Sequence, residues 1–321
     1  MGDAQNDQAL LSVVIPIFGE GGHLRVLLAT VRESLDECHL PYELILVDDG
    51  SSDDTWRVIA AEAKVSPAIR ALRLSRNFGK ESALCAGLEH SRGDAVIVMD
   101  ADGQHPPSLL PEMVRIWSGG EVDIVEAVKS DRGREPMFGK LSAGLFYLIW
   151  NKLSGFELKG ASDFKLMDRR VVNEWLKMGE RNLFFRGMTA WLGFRTVKIP
   201  FEVAERAGGR TGWGFLDRLK LAFTAISAFS SLPLQLVTFA GALFLLFAAG
   251  LGGQTLVVFA TGKAVSGFAT IILLLLIIGS FLMVSLGVIG VYLARIYEEV
   301  KGRPRYVVRD SIGPADTRPE R

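Results

Sequence analysis

The sequence predicts an α/β domain built on a parallel sheet, followed by an amphipathic helix and two transmembrane helices. Three observations carry that reading. Short, β-branched apolar runs alternate with helical stretches through the first hundred residues, acidic side chains recur where two of the runs end, and two long uncharged segments follow Ser231. Strands alternating with helices at this pitch imply a sheet covered on both faces.

Ser12–Ile17 is the first strand, closed by Phe18-Gly-Glu-Gly-Gly22, a turn that opens a helix through His23–Val31. Glu43–Val47 is the second, stopping at Asp48-Asp-Gly-Ser-Ser52. Asp53 and Asp54 then place negative charge in the first turn of a helix running to about Ala63, where the helix dipole favours it. Ile69–Leu74 reads as the third strand, Glu81–His90 as a helix, Ala95–Met99 as the fourth strand and Asp123–Val128 as the next. Leu141, Leu145, Leu148 and Ile149 fall on one face of a candidate helix over Leu141–Leu153.

Asp100 and Asp102 lie where the fourth run passes into a loop. The C-terminal edge of a parallel sheet is where open α/β folds hold ligands. Asp-x-Asp followed by Gly103-Gln104-His105-Pro106 offers two hard anionic oxygens and an amide carbonyl to a divalent cation. Magnesium or manganese held so sparingly keeps positions for the oxygens of a diphosphate. A second acidic strand end, Asp48 and Asp49, suggests one shared crevice.

Composition bounds the partners. Lys plus Arg number 36 and Asp plus Glu 36, so the net charge is zero, and no basic stripe invites nucleic acid. The two cysteines, Cys38 and Cys85, lie in helical-looking stretches and imply no disulfide framework, which fits a reducing compartment. Met1–Leu10 is polar and is not expected to be a signal peptide.

Leu234–Phe259 carries no charge and would extend roughly 39 Å as helix, against a bilayer core of about 30 Å. Ala264–Ala294 is again uncharged. Lys263 is the only cation between them, whereas Arg206, Arg210, Arg218 and Lys220 precede the pair and Arg295, Lys301, Arg303, Arg305 and Arg309 follow it. The positive-inside rule therefore places both termini and the α/β domain in the cytoplasm, with the chain a multi-pass protein of the inner (plasma) membrane. Leu216, Leu219, Phe223 and Ile226 recur at helical spacing within Gly214–Ser231, as a helix on the membrane surface or packed on the α/β domain. Gly241, Gly250 or Gly279 could pack the spans against further copies, leaving a homo-oligomer possible.

Pro16-Ile-Phe-Gly-Glu20, Val47-Asp-Asp-Gly-Ser51, Arg76-Asn-Phe-Gly-Lys80 and Met99-Asp-Ala-Asp-Gly-Gln-His-Pro106 stand in an order and spacing that resemble family 2 glycosyltransferases of GT-A fold. The closer resemblance is to the branch of dolichyl-phosphate mannose synthase and the bacterial polyprenyl-phosphate glycosyltransferases. It covers nearly the whole chain. It implies a Rossmann-like mixed sheet and a catalytic domain over residues 1–213. An interfacial helix at 214–231, two spans within 232–295 and a basic cytoplasmic tail at 296–321 would complete the chain.

The resemblance assigns nucleotide and donor contacts to Pro16, Phe18, Glu20, Asp49, Lys80 and Asp100; for Lys80 a solvated charge at a loop-to-helix junction is the alternative. Asp100, Asp102 and Gln104 would hold Mg2+ or Mn2+, making Asp102 catalytic. Asp163 stands where other family 2 enzymes put a base; here it is expected to hold a sugar hydroxyl or orient the site. Lys129, Arg132, Arg134 and Lys140, with Ser142, are the candidates for gripping an acceptor phosphate, since guanidinium and ammonium donors suit that dianion. A solvated basic loop drawn to anionic lipid is the alternative. Glu205–Trp213 resembles a mobile lid from which Arg206 and Arg210 reach the diphosphate, although many relatives have lysine where this chain has Gly212. The expected reaction is inverting transfer of one hexose from a nucleotide sugar, uridine-linked by preference, to a polyprenyl phosphate such as undecaprenyl phosphate. A hydroxyl acceptor, or a non-catalytic nucleotide-sugar-binding membrane subunit, are the rival readings.

Overall fold

The computed structural model describes residues 9–129, 162–181, 183–201, 232–261 and 267–313. Eight strands form one sheet: β1 (Leu11–Ile17), β2 (Tyr42–Asp48), β3 (Ile69–Leu74), β4 (Ala95–Val98), β5 (Ile124–Lys129), β6 (Lys165–Asp168), β7 (Thr196–Phe201) and β8 (Val308–Ile312). Among the described residues, six α-helices accompany them: α1 (Leu24–Asp36), α2 (Thr55–Val65), α3 (Lys80–His90), α4 (Leu110–Ser118), α5 (Arg169–Lys177) and α6 (Phe185–Trp191). These elements form one unit, and α7 (Leu232–Ala260) with α8 (Phe268–Val300) belongs to another.

The sheet order is β7-β5-β6-β4-β1-β2-β3-β8. Strands β3, β2, β1 and β4 run parallel. Strand period two sorts their side chains. Leu11, Val13, Ile15, Leu44, Leu46 and Ile97 enter one core with α1, α2 and α4. Val14, Ile45, Val47, Val96 and Val98 enter the other with α3, α5 and α6. The sheet is thus covered on both faces, as the alternating runs require.

It is not parallel throughout. β6 runs antiparallel to both β4 and β5, so the mixed sheet implied by the resemblance is what forms. The chain winds outward from β1 through β2 to β3, then crosses to β4 on the other side of β1. That reversal makes the ends of β1 and β4 the switch point, where a ligand crevice opens. Pairing between β1 and β4 stops at Val14↔Val98. Pro16, which has no N–H, therefore falls where β4 has diverged and costs the ladder nothing.

Element boundaries differ from expectation by a residue or two at most strands, and more at the first helix, which continues to Asp36. Helix α2 opens at Thr55, so Asp53 and Asp54 flank its first turn rather than lie in it. Cys38 lies in the turn after α1, not in a helix, and both cysteines are free thiols. The candidate helices over Leu141–Leu153 and Gly214–Ser231 lie outside the described residues.

Residues after the second apolar helix are more than a basic tail. Val308–Ile312 pairs antiparallel with β3 as an edge strand. Ser75 N–H donates to Val307 O at 2.9 Å, and the Arg305 guanidinium donates to Met178 O and to Cys85 Sγ. The Tyr306 hydroxyl donates to Glu89.

In the second unit, α7 and α8 contain Val237–Thr255 and Ile277–Val300, each long and apolar enough to cross a membrane. Thr238, Thr255 and Ser285 return their hydroxyls to carbonyls four residues earlier, which satisfies them without water. Phe244 stacks on Phe281 at 4.9 Å, and a Cβ on Gly241 would lie 3.9 Å from the Phe281 ring.

Gly50 joins β2 to the loop after β3. Its φ is +70°, and a Cβ there would stand 2.4 Å from the Arg76 carbonyl carbon. Gly50→Ala is therefore expected to destabilise the domain by about 1–3 kcal/mol, read as a lowered thermal-unfolding midpoint. An unchanged midpoint would mean that the two loops are not packed this closely.

Candidate active site

Four loops meet at the C-terminal ends of β1, β2, β3 and β4, and local chemistry fixes each. In the loop after β4, Asp102 Oδ1 accepts the Gln104 N–H at 3.0 Å, and His105 Nδ1 accepts the Asp100 N–H at 2.9 Å. His105 is buried and stacks on Phe164 with ring centroids 4.9 Å apart. Burial lowers its pKa, with the charges of Asp100 and Asp102 opposing. His105 is therefore neutral, with its proton on Nε2, and serves to brace the Asp100 backbone. From the β1 side, His23 Nε2 donates to Ala101 O at 2.7 Å and lies 3.2 Å from Glu20. The Asp-x-Asp turn is thus held from both flanks.

Asp49 is buried at the end of β2 and its two oxygens accept the N–H groups of Phe78 and Gly79 at 2.7 and 2.9 Å. Burial raises its pKa, and those two N–H groups oppose the rise. The carboxylate thus pins the loop that delivers Lys80 to the first position of α3. Arg76 on that loop lays its guanidinium over the Phe78 ring at 4.2 Å. Pro16 is buried within β1, whereas Phe18 is 54% exposed beside the crevice.

The densest charge lies between α3, β4, β6 and α6. Lys80 Nζ stands 2.6 Å from Asp100 Oδ1 and 2.5 Å from Asp163 Oδ2. Arg186 donates to Asp163 through Nε at 2.7 Å and through Nη2 at 2.8 Å. Burial alone would raise the Asp163 pKa, but the bidentate guanidinium and Lys80 more than offset it, and the carboxyl stays well below the ordinary carboxylate range. Beneath it, Lys165 donates to Thr189 Oγ1 at 2.9 Å and pairs with Glu126 at 3.0 Å, both buried. Glu126 in turn accepts the Ser162 N–H at 3.1 Å, so this pair orients the segment carrying Asp163.

Glu81 follows Lys80 and accepts the Phe185 N–H at 2.8 Å, joining the start of α3 to the start of α6. Burial pushes its pKa up to about 7, against that hydrogen bond and the nearby cations. An unfolded glutamate titrates near 4.5. Its folded pKa is the higher, so its contribution to stability is complete below about pH 4.5 and is lost as pH rises toward 7. Glu81→Gln keeps an acceptor for Phe185 and removes that loss. The variant is expected to be more stable than the parent at pH 8, by up to about 3 kcal/mol, with a flatter unfolding midpoint between pH 4.5 and 7. An identical fall in the variant would assign the titration elsewhere.

Of the residues singled out by sequence, the structure brings together Asp100, Asp102, Gln104, Lys80 and Asp163. Lys129, at the end of β5, donates to Gln104 Oε1 at 3.4 Å and so borders the same turn. Arg132, Arg134, Lys140, Ser142, Arg206 and Arg210 lie outside the described residues. Arg186, Glu81 and His105 were not given roles by the sequence. The available signal for Arg186 was a single cation in the apolar stretch Leu183–Met188.

The donors at the turn, two carboxylates and an amide oxygen, suit a hard dication. Among the described residues no three His, Cys, Asp or Glu side chains converge on one point. A cation held by Asp100, Asp102 and Gln104 would complete its shell with water or substrate oxygens.

The description Glycosyl transferase family 2 matches residues 12–176. A relative from Synechocystis sp., described as an uncharacterized glycosyltransferase, is 38% identical over 305 residues, covering 94% of this chain and 96% of that protein. A prophage-derived bactoprenol glucosyl transferase of Shigella flexneri is 36% identical over 304 residues, covering 94% of this chain and 98% of that one. Among solved structures, a mannosyltransferase of Pyrobaculum calidifontis in complex with GDP-Man and Mn2+ is similar with a TM-score of 0.46 and 20% identity, over 64% of this chain and 59% of that one.

Proposed function

Because the chain belongs to glycosyl transferase family 2, we propose that it moves one hexose from a nucleotide sugar to a polyprenyl phosphate at a membrane face. The observation that carries this reading is the state of Asp163. A general base works best with a pKa near the operating pH, and Asp163 is held far below it by Arg186 and Lys80. A hydroxyl acceptor needs a base. A phosphate monoester has a second pKa near 6 and is already an anion at neutral pH. The relative named as a bactoprenol glucosyl transferase, matched nearly end to end, favours the same acceptor class.

In the proposed reaction the acceptor phosphate oxygen attacks the anomeric carbon from the face opposite the diphosphate. The bond to the diphosphate breaks, its electron pair leaves with the nucleotide, and no proton is exchanged. Asp100, Asp102 and Gln104 would hold Mg2+ or Mn2+, which when bound neutralises the departing diphosphate. Pro16, Phe18, Glu20 and Asp49 are assigned to the nucleotide. Lys129, with Arg132, Arg134, Lys140 and Ser142, is assigned to the acceptor phosphate; Arg206 and Arg210 belong to the donor side. The remaining catalytic work is positioning.

The chain's course supports membrane residence. Phe201 ends one strand of the sheet and Val308 begins another. The segment between, with its two apolar helices, leaves and rejoins one sheet, so in the proposed arrangement it would cross the bilayer an even number of times. With the cationic flanks, this supports two spans with both termini cytoplasmic, where nucleotide sugars are made.

The test is incubation of the detergent-purified protein with Mn2+ or Mg2+, polyprenyl phosphate and a panel of radiolabelled nucleotide sugars. Organic-extractable label from one donor, abolished by EDTA, is expected. Nucleotide release without label in lipid would replace the acceptor with a hydroxyl, and donor binding without turnover would favour a non-catalytic subunit.

A further inference from the structure

We infer that Lys80 is the resident counter-ion of the donor site. In the nucleotide-free protein it competes with the metal for Asp100, and it passes to the diphosphate when the donor arrives. The inference rests on the proposed metal role of Asp100.

Charge bookkeeping around α3 and α6 leads to it. Asp163 is buried, and both its oxygens accept from Arg186 in a bidentate pair, with Lys80 adding a third contact at 2.5 Å. Arg186 therefore balances Asp163, and the Lys80 charge is left to balance Asp100 at 2.6 Å. Two carboxylates and two cations cancel. A divalent ion added alone to Asp100 and Asp102 would meet an ammonium already seated on the same carboxylate. A nucleoside diphosphate supplies the missing negative charge and a new partner for Lys80.

The two cations are also built differently. The planar Arg186 fork is fixed on Asp163, whereas Lys80 is a point charge on a flexible four-carbon stem, and its side chain is 39% exposed. It can swing from Asp100 toward solvent while its backbone stays clamped through Asp49 and the Phe78–Gly79 loop. Asp163 gives the ammonium a second foothold at 2.5 Å, which keeps it near the crevice after Asp100 is released. Arg186 is thus a positioning residue, holding the perch on which Lys80 turns. The consequence is linkage: nucleotide and metal each strengthen the other's binding because both relieve the same ion pair.

The experiment measures Mn2+ binding to the full-length protein in detergent by the electron paramagnetic resonance signal of free Mn2+, with and without UDP. Lys80→Met, which keeps most of the stem, is compared with Lys80→Arg, which keeps the charge. The parent and Lys80→Arg are expected to bind Mn2+ weakly alone and at least tenfold more tightly with UDP. Lys80→Met is expected to bind Mn2+ alone about tenfold more tightly than the parent, with a correspondingly smaller UDP effect. Lys80→Gln supplies the same reading should the methionine variant fail to fold. Equal or weaker Mn2+ binding by the neutral variants, with UDP-dependent binding retained in the parent, would overturn the inference while leaving the metal site intact. No Mn2+ binding by the parent even with UDP would remove the metal reading and this inference together.

Discussion

Asp102→Asn is expected to reduce sugar transfer by about a thousandfold with little change in folding. Asparagine is nearly isosteric, and its amide oxygen can still accept the Gln104 N–H that shapes the turn. Only the charge is lost. A metal that neutralises a departing diphosphate contributes several kcal/mol to the transition state, and a loss of about 4 kcal/mol corresponds to the thousandfold. Label transfer and thermal unfolding measured on the same preparation check this, and raised Mn2+ should restore part of the rate. Turnover within tenfold of the parent would remove Asp102 from the metal site.

Asp163→Asn should do damage of a different kind. The buried carboxylate is the common partner of Lys80 and Arg186, so its neutralisation strips Arg186 of its bidentate partner and leaves it facing Lys80, which keeps only Asp100. Removing one member of a buried pair costs about 3–5 kcal/mol. The partly exposed cations put this case at the lower end. Because the folded pKa is depressed, the stabilisation is present above the ordinary aspartate value of about 3.9 and is lost only as pH falls below it. The difference from the parent should therefore be constant between pH 5 and 8, unlike that of Glu81→Gln. Turnover should fall about a hundredfold, as for residues that orient metal ligands. The acid limb of the pH–rate profile should persist; its disappearance would make Asp163 a true base and favour a hydroxyl acceptor.

The strands and their acidic ends were legible because burial on both faces of a sheet demands continuous apolar runs, and Asp48 and Asp100 interrupt such runs abruptly. Lys80 was legible as a donor contact or as a charge at a loop-to-helix junction, without its partners. Its partners come from β4 and β6, brought beside it by an antiparallel strand that no local pattern announces. Asp49 illustrates a limit of another sort. The residue type suits a nucleotide, and no local pattern announced that its carboxylate also accepts the Phe78 and Gly79 N–H groups. Arg186 escaped notice because a lone arginine among phenylalanines carries no spacing signal. β8 escaped because Val-Arg-Asp-Ser-Ile is short and charged, a composition that edge strands favour to discourage further pairing.

That last strand also dictates an order of assembly. β8 is the final part of the sheet to leave the ribosome, and the stretch encoded just before it is the apolar helix α8. Until both apolar helices have been made, β3 has one bare edge and the loop bearing Lys80 lacks its Ser75–Val307 tie. In the proposed membrane arrangement, insertion precedes completion of the enzyme. A chain truncated after β7, made to obtain a soluble domain, would retain every residue of the charge cluster and still present a sticky open edge. Appending residues 304–313 through a flexible linker would close that edge and make the α/β unit a candidate for study in water.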